Sequence, residues 1–300
     1  MNYNDPFLQS DIIYKDDTHQ YFNQSDEEYK SVTRALDGIK VPFDSARMSS
    51  IMAGKYAAEH GITESQAQQA ILASWAGKKD RSIDKGNYVH DSFERYTLNG
   101  TYDEDMADSV AFLKKILLEH YRFYPEVIIH SHKYKMAGRT DLALMRQKSK
   151  NPVFDFYDYK SNIEKGIQFD SISRKDNPVK HYNRFLLPPF EYLEDCNYTI
   201  YSMQLSIYAF MALNSNPNFR IGRLGIIFVD NDFKPSMIPV PFMYQEAKMI
   251  CEMNITRKAL PEIQKDQLGI SSSFKFELMD MSNNDDKRMS FDPNNIKEDW

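Results

Sequence analysis

The chain has 300 residues, 42% of them hydrophobic and 13% aromatic, which is enough to bury one large core or a core with an appended lobe. Its net charge of −6 argues against a protein that coats nucleic acid over its whole surface. No apolar run approaches the roughly 20 residues that span a bilayer, and no signal peptide is visible, so we expect a cytoplasmic protein without a membrane partner.

The first third of the chain predicts a small hairpin followed by helices. Apolar and aromatic residues at 12–14 and 21–22 flank a polar turn, as in a β-hairpin. Ser31 and Thr33 precede a helical stretch as candidate N-caps. Further helices are predicted at residues 44–61, 63–77, 87–98 and 106–121, with a charged connector at 78–85.

The predicted helix at 87–98 carries His90 and Glu94. The two residues are one helical turn apart, so they share a face and can point together into a site. The alternative is a surface histidine paired with a glutamate.

The sequence then changes to a β-type pattern. Residues 126–135 begin with β-branched residues and continue with side chains that alternate in character. This pattern predicts a strand that forms a meander with the next two strands. His130 and His132 alternate on this strand in the manner of metal ligands. Exposed strand histidines are more common, and we favour that interpretation.

The next two strands carry the residues around which the chain is organised. They are predicted at 138–144 and 154–161, separated by a polar turn. Alternation places Asp158 and Lys160 on one face of the second strand and Tyr157 and Tyr159 on the other. If the neighbouring strand brings Asp141 alongside, two carboxylates converge beside one ammonium, a pattern suited to Mg²⁺ or Mn²⁺ and to phosphoryl chemistry.

Four motifs in this order resemble the PD-(D/E)XK nuclease superfamily. The central pair is Gly-Arg-Thr-Asp ending at Asp141, followed by Asp-x-Lys ending at Lys160. Upstream Gly86-x-x-x-His90-x-x-x-Glu94 and downstream Gln204-x-x-x-Tyr208 are similar to the RecB-like exonuclease branch, which includes the mitochondrial genome maintenance exonuclease and phage exonucleases. The resemblance covers residues 29–229. Each motif alone is weak evidence for the family. The evidence is specific because all four motifs occur together in this order.

The resemblance implies an α/β fold with a restriction-endonuclease-like core, in which a mixed β-sheet is flanked by helices and preceded by an N-terminal helical lobe. It implies a metal-dependent DNA exonuclease that prefers single-stranded ends and acts in replication, recombination or repair, including a phage setting. A catalytically silent DNA-binding or structural member and a structure-specific endonuclease remain as alternatives. Polarity of digestion, protein partners and oligomeric state stay open.

The resemblance also implies roles for individual residues. The metal ligands would be Asp141, Asp158, the backbone carbonyl of Tyr159 and His90, with Glu126 in the place of an early acidic residue. Lys160 would act in the chemistry with Gln204 near it, Tyr208 would lie near the DNA, and Glu94 would be a helper. Some relatives carry a four-cysteine iron–sulfur cluster; this chain has two cysteines, so we expect no cluster.

The loop at 161–194 is irregular, polar and interrupted by prolines, and loops of this length tend to be functional or mobile. Its mixture of basic and aromatic residues suits the binding of single-stranded nucleic acid. The alternative is a connecting loop whose aromatic residues pack against the sheet. The predicted nucleic-acid contacts are Arg139, Ser161, Arg174, Lys175, Lys180 and Arg184. Beyond the loop we expect a helix at 197–214, strands at 224–229 and 236–240, and a helix at 245–267.

The predicted organisation has three parts. Residues 1–122 form an N-terminal hairpin and helical lobe, residues 123–268 the nuclease core within the same domain, and residues 269–300 a polar tail.

Overall fold

A mixed β-sheet lies at the centre of the computed structural model, which describes residues 11–161, 166–169 and 184–257. Its strands are β1 (Ile13–Lys15), β2 (Gln20–Phe22), β3 (Glu28–Ser31), β4 (Arg122–Ser131), β5 (Met136–Met145), β6 (Val153–Ser161), β7 (Arg220–Val229) and β8 (Pro235–Val240). The helices are α1 (Val32–Asp37), α2 (Ser45–His60), α3 (Glu64–Asn99), α4 (Ala107–Leu118), α5 (Asn197–Ser215) and α6 (Tyr244–Arg257). The α/β class with a helix-flanked mixed sheet is confirmed.

The strand order explains why residues from distant parts of the chain meet at β5. Seven strands follow the order β1-β2-β3-β5-β6-β7-β8, and β4 also pairs with β5. Along one edge β5 is antiparallel to β4. Along its other edge β5 pairs with β3 at Met136 and Ala137, and with β6 from Leu142 to Met145. The stretch 138–141 therefore lies between the ends of β3 and β6.

Helices cover both faces of the sheet. One buried cluster joins α1, α5 and α6 to the strands and includes Phe154 and Phe156 of β6. A second cluster joins α3 and α4 to the opposite face and includes Tyr157 and Tyr159. The tyrosines thus point away from α5, as the predicted alternation of β6 requires.

The first long helix corrects the prediction. Residues 64–99 form one helix of 36 residues, so the charged connector predicted at 78–85 is wrong. Lysine, arginine and glutamine have good helix propensity, so a run of charges does not end a helix. The real boundaries are a capping box formed by Thr63 and Gln66 and the left-handed Gly100, with φ 78°. α2 packs against this helix through small residues, with Ala53 and Ala57 next to Ala67.

Strand boundaries also shift. β4 covers 122–131 rather than 126–135, because residues 132–135 form the turn into β5 and Lys135 has a left-handed φ of 51°. β3 was not predicted at all, and β7 begins earlier than expected. Ser31 caps α1 as predicted, its side chain accepting a hydrogen bond from the Arg34 backbone N–H. The tail at 269–300 lies outside the described residues.

A buried polar network fixes the start of β6. The carboxylate of Asp155 accepts hydrogen bonds from Arg146 Nε (2.9 Å), His120 Nε2 (3.1 Å) and the Arg223 backbone N–H (2.7 Å). A Cβ at Gly222 would lie 2.0 Å from Asp155 Oδ1, so only glycine fits there. Burial raises the pKa of Asp155, but these donors outweigh it and leave the pKa lowered. Burial lowers the pKa of His120, but Asp155 outweighs it and leaves the pKa raised.

No helix in the described ranges has both the length and the apolar character needed to cross a membrane.

Candidate active site

Asp141 lies where the ladder between β5 and β6 gives way to a side-chain contact. The paired register runs from Met145↔Phe154 to Leu142↔Tyr157. Beyond it, Oδ2 of Asp141 accepts a hydrogen bond from the Tyr159 backbone N–H at 2.5 Å. The carboxylate is therefore held against the backbone of β6 by a strong, charge-assisted bond.

Asp158 and Lys160 form an ion pair on the α5 side of β6. Lys160 Nζ contacts Asp158 Oδ2 and lies 5.0 Å from the centre of the Tyr201 ring. Gln204 Nε2 donates to Asp158 Oδ1 at 3.2 Å. The Asp158 side chain is 1% exposed and that of Lys160 is 21% exposed, so the ion pair is largely withdrawn from solvent.

His90 reaches the same point from α3. Its Nε2 donates to the Tyr159 carbonyl oxygen at 3.1 Å, and its Nδ1 lies 3.7 Å from Asp141 Oδ1. Nδ1, the ring nitrogen that does not bond to Tyr159, thus faces a carboxylate. Ligand atoms of His90, Glu126 and Asp141 lie within 4.8 Å of one another, so these three side chains could hold a metal ion. Asp158 is outside this set.

Glu126 and Arg139 form a second pair beside Asp141. Glu126 Oε2 is 2.8 Å from Arg139 Nε, and the Glu126 backbone has a left-handed φ of 49°. Burial raises the pKa of Glu126 to about 8, with Asp141 adding to the rise and Arg139 opposing it. Glu94 on α3 contributes to the same negative field.

The charges of the site are unevenly balanced. Burial raises the pKa of Asp158, and Asp141 raises it further, while Lys160 opposes both. Burial disfavours the charged form of Lys160, yet Asp158 and Asp141 raise its pKa overall, so it stays an ammonium. Asp158 and Glu126 thus both have raised pKa values, and a further cation bound beside them would favour their charged forms.

A comparison with protein-family models gives no match, and neither does a comparison with curated proteins. Similar solved structures include one described as SSO0001, with 14% sequence identity, 78% of this chain and 79% of that chain covered, and a TM-score of 0.27. Another, from Eubacterium rectale, is described as a "Putative exonuclease", with 15% identity, 76% and 79% covered, and a TM-score of 0.32. Scores this low say nothing about function, which has to be argued from the site residues.

Tyr208, which the resemblance places near the DNA, lies inside the protein. The side chain is buried, with 2% exposure, and its hydroxyl accepts a hydrogen bond from Gln204 Nε2 at 3.3 Å. A Cβ at Gly138 would come within 2.6 Å of the ring, so the Tyr208 ring packs directly against the backbone of β5. Its hydroxyl is placed to help position Gln204.

The residues predicted to contact nucleic acid differ in what their side chains touch. Arg139 is paired with Glu126 and lies 4.9 Å from the Tyr14 ring centre, so it is engaged inside the protein. Arg184 bonds to Asp195 at 2.9 Å and to the Val41 carbonyl at 3.3 Å, which gives it a structural contact. The Ser161 hydroxyl is buried and has no hydrogen-bond partner among the described residues. Arg174, Lys175 and Lys180 lie outside the described residues.

Two residues were missed by the sequence analysis. Tyr201 supports the Lys160 ammonium, and Gly138 makes room for Tyr208. Tyr201 precedes Gln204 by three residues on the same helical face, a spacing that could have indicated it. No local pattern could have shown which side chain packs over Gly138.

Proposed function

We propose that the chain is a metal-dependent DNA exonuclease of the RecB-like PD-(D/E)XK type that acts on single-stranded ends. The observation that supports the proposal is that Asp141 of β5 accepts a hydrogen bond from the Tyr159 backbone N–H of β6, the residue between Asp158 and the Lys160 that pairs with it. Folding alone does not call for a buried carboxylate paired with an ammonium beside a second carboxylate that is hydrogen-bonded to the adjacent backbone. The order of motifs along the sequence agrees with this geometry.

The donor set fits a divalent cation. His90 Nδ1 and the carboxylates of Asp141 and Glu126 converge within 4.8 Å, and the Tyr159 carbonyl is bonded to His90 beside them. Hard oxygen ligands with one imidazole suit Mg²⁺ or Mn²⁺. His90, Asp141 and Glu126 would hold the ion. Asp158 and the Tyr159 carbonyl, which the sequence predicts as further ligands, lie outside that set and contact Lys160 and His90. When bound, the ion supplies Lewis-acid polarisation of the phosphate and a more acidic water.

The chain's own residues then divide the remaining work. Lys160, a fixed positive charge at the edge of the site, orients the attacking water and stabilises the negative charge that grows on the phosphate oxygens. Gln204 holds Asp158 in orientation through Oδ1, and Tyr208 holds Gln204. His90 keeps the Tyr159 carbonyl in place.

The test is degradation of three DNA substrates by the purified full chain. End-labelled single strands, linear duplex and closed circular single strands are incubated with Mg²⁺, with Mn²⁺ or with chelator. We expect loss of linear single strands only, and only with metal. Cutting of the circle would instead make the protein an endonuclease.

Three variants identify the site. Asp141→Asn is expected to abolish cleavage and weaken Mg²⁺ binding measured by calorimetry, whereas Lys160→Ala abolishes cleavage with Mg²⁺ binding retained. Lys234→Ala is the matched control, because Lys234 is exposed and pairs with Asp108 away from the site. Undiminished metal-dependent cleavage by Asp141→Asn would contradict the proposal. DNA binding without cleavage under any condition would favour a silent member of the fold.

A further inference from the structure

A second group of metal-binding side chains lies apart from the candidate active site. Asp11 precedes β1, His130 is near the end of β4, and His132 begins the turn into β5. Nε2 of His130 and Nε2 of His132 each lie 3.2 Å from the same oxygen, Oδ1 of Asp11. One ligand atom from each of the three residues lies within 4.8 Å of the others.

The packing beneath the group holds these side chains together. Ile12, Tyr29 and Ala137 belong to one buried cluster, so the residue after Asp11 is anchored against β3 and β5. His130 is the register partner of Ala137. The Ser215 hydroxyl, at the end of α5, donates to the His130 carbonyl at 3.0 Å and fixes the backbone there. The convergence is thus built by several elements and is not a chance meeting of surface side chains.

Tyr29 orients one of the two imidazoles. Its hydroxyl is hydrogen-bonded to His132 Nδ1 at 2.7 Å, and the Tyr29 side chain is buried, with 1% exposure. A partner on one ring nitrogen leaves the other to face a ligand, which is how metal-binding histidines are commonly oriented in proteins. Nε2 of His132 is the atom that remains, and it faces Asp11.

The distances match a tetrahedral site. Zinc binds imidazole nitrogen and carboxylate oxygen at about 2.0–2.2 Å, so two ligands of a tetrahedron are about 3.3 Å apart. Both Nε2 to Oδ1 distances are 3.2 Å. Two imidazoles favour Zn²⁺ and related transition metals over Mg²⁺, which prefers oxygen ligands.

We propose that Asp11, His130 and His132 bind one Zn²⁺ ion at a site separate from the candidate active site. The fourth position of the tetrahedron opens to solvent, since the His132 side chain is 54% exposed and that of Asp11 is 43% exposed. The ion ties the segment before β1 to the turn between β4 and β5. Along β5, Ala137 and Asp141 are four residues apart, or about 13 Å, so one ion cannot serve both groups.

The experiment is calorimetric titration of the chelator-treated full chain with ZnCl₂. We expect His132→Ala to lose one equivalent of Zn²⁺ relative to wild type, and Asp11→Asn to lose the same one. Asp141→Asn keeps that equivalent, which separates this site from the candidate active site. His60→Ala, an exposed histidine in α2 outside both groups, is the matched control and binds as wild type does.

A positioning role for Tyr29 gives a second readout. Tyr29→Phe keeps the ring but removes the hydroxyl, so the number of bound ions should stay the same while affinity falls by about 10- to 100-fold. Zn²⁺ should also raise the melting temperature of wild type by more than that of Asp11→Asn. Equal Zn²⁺ stoichiometry in wild type, His132→Ala and Asp11→Asn would overturn the proposal.

Discussion

The absence of a side chain at Gly138 makes room for Tyr208, which is hydrogen-bonded to Gln204 in the candidate site. A Cβ there would lie 2.6 Å from Cε1 of Tyr208 and 3.0 Å from Cγ2 of Val32. Carbon atoms in contact prefer a separation of about 3.5–4.0 Å, so Gly138→Ala forces the Tyr208 ring to move by about 1 Å. The ring is buried and has little room to move.

The expected cost follows from this overlap. Overpacking a filled core typically costs about 1–3 kcal/mol of unfolding free energy. For a chain of this size each kcal/mol lowers the melting temperature by about 2–4 °C, so a drop of roughly 2–12 °C is expected. Displacing Tyr208 also disturbs its hydrogen bond to Gln204, which orients Asp158, so cleavage should fall at temperatures where the variant is fully folded.

The assay is urea and thermal unfolding followed by circular dichroism, with cleavage measured in parallel. Gly77→Ala is the matched control. A Cβ at Gly77, inside α3, would meet only Arg81 Nη1 at 3.5 Å, an ordinary contact, so this change should stabilise the protein by about 0.5–1 kcal/mol. If Gly138→Ala melted at or above the wild-type temperature, the packing argument would be wrong.

Three further predictions concern other parts of the structure. Asp155→Asn should lower the unfolding free energy by about 3–5 kcal/mol in urea titrations, because the buried network loses its charge, while Asp108→Asn at an exposed pair should leave stability unchanged. The stability that the network adds is lost as pH falls through the lowered pKa of Asp155, below 3.8, and as pH rises through the raised pKa of His120, above 6.5. The difference between wild type and Asp155→Asn should therefore be largest between about pH 4 and 6.5; a flat difference from pH 3 to 8 would rule this out. Gln204→Ala should lower the rate of cleavage about 10- to 100-fold with little change in melting temperature, because Asp158 loses its orienting donor.

Short-range periodicity carried most of what the sequence could predict. Alternation along β6 placed Asp158 and Lys160 on one face and the tyrosines on the other, and both α5 contacts and the opposite core agree. Gln204 and Tyr208, at i and i+4, share a face of α5, where their side chains are hydrogen-bonded. These features depend only on the geometry of a single element, which is why they could be read without the fold.

The errors arose where distant parts of the chain decide the outcome. Nothing local distinguishes a charged connector from the middle of a long helix, so the continuity of α3 was missed. Burial of Tyr208 depends on the absence of a side chain at Gly138, 70 positions earlier in the chain. No local pattern indicated that His130 and His132 lie close to Asp11, more than a hundred residues away.

Because α3 is continuous, a small tilt of the helix about His90 produces a much larger movement at its distant end. The helix is 36 residues long, contains no proline, and spans about 54 Å at 1.5 Å per residue. His90 lies 26 positions from its first residue, or about 39 Å, so a tilt of about 5° about His90 carries the α2 end through roughly 3 Å. A tilt that leaves the imidazole almost in place would therefore move the first turn of α3. A spectroscopic label on that turn would detect the movement.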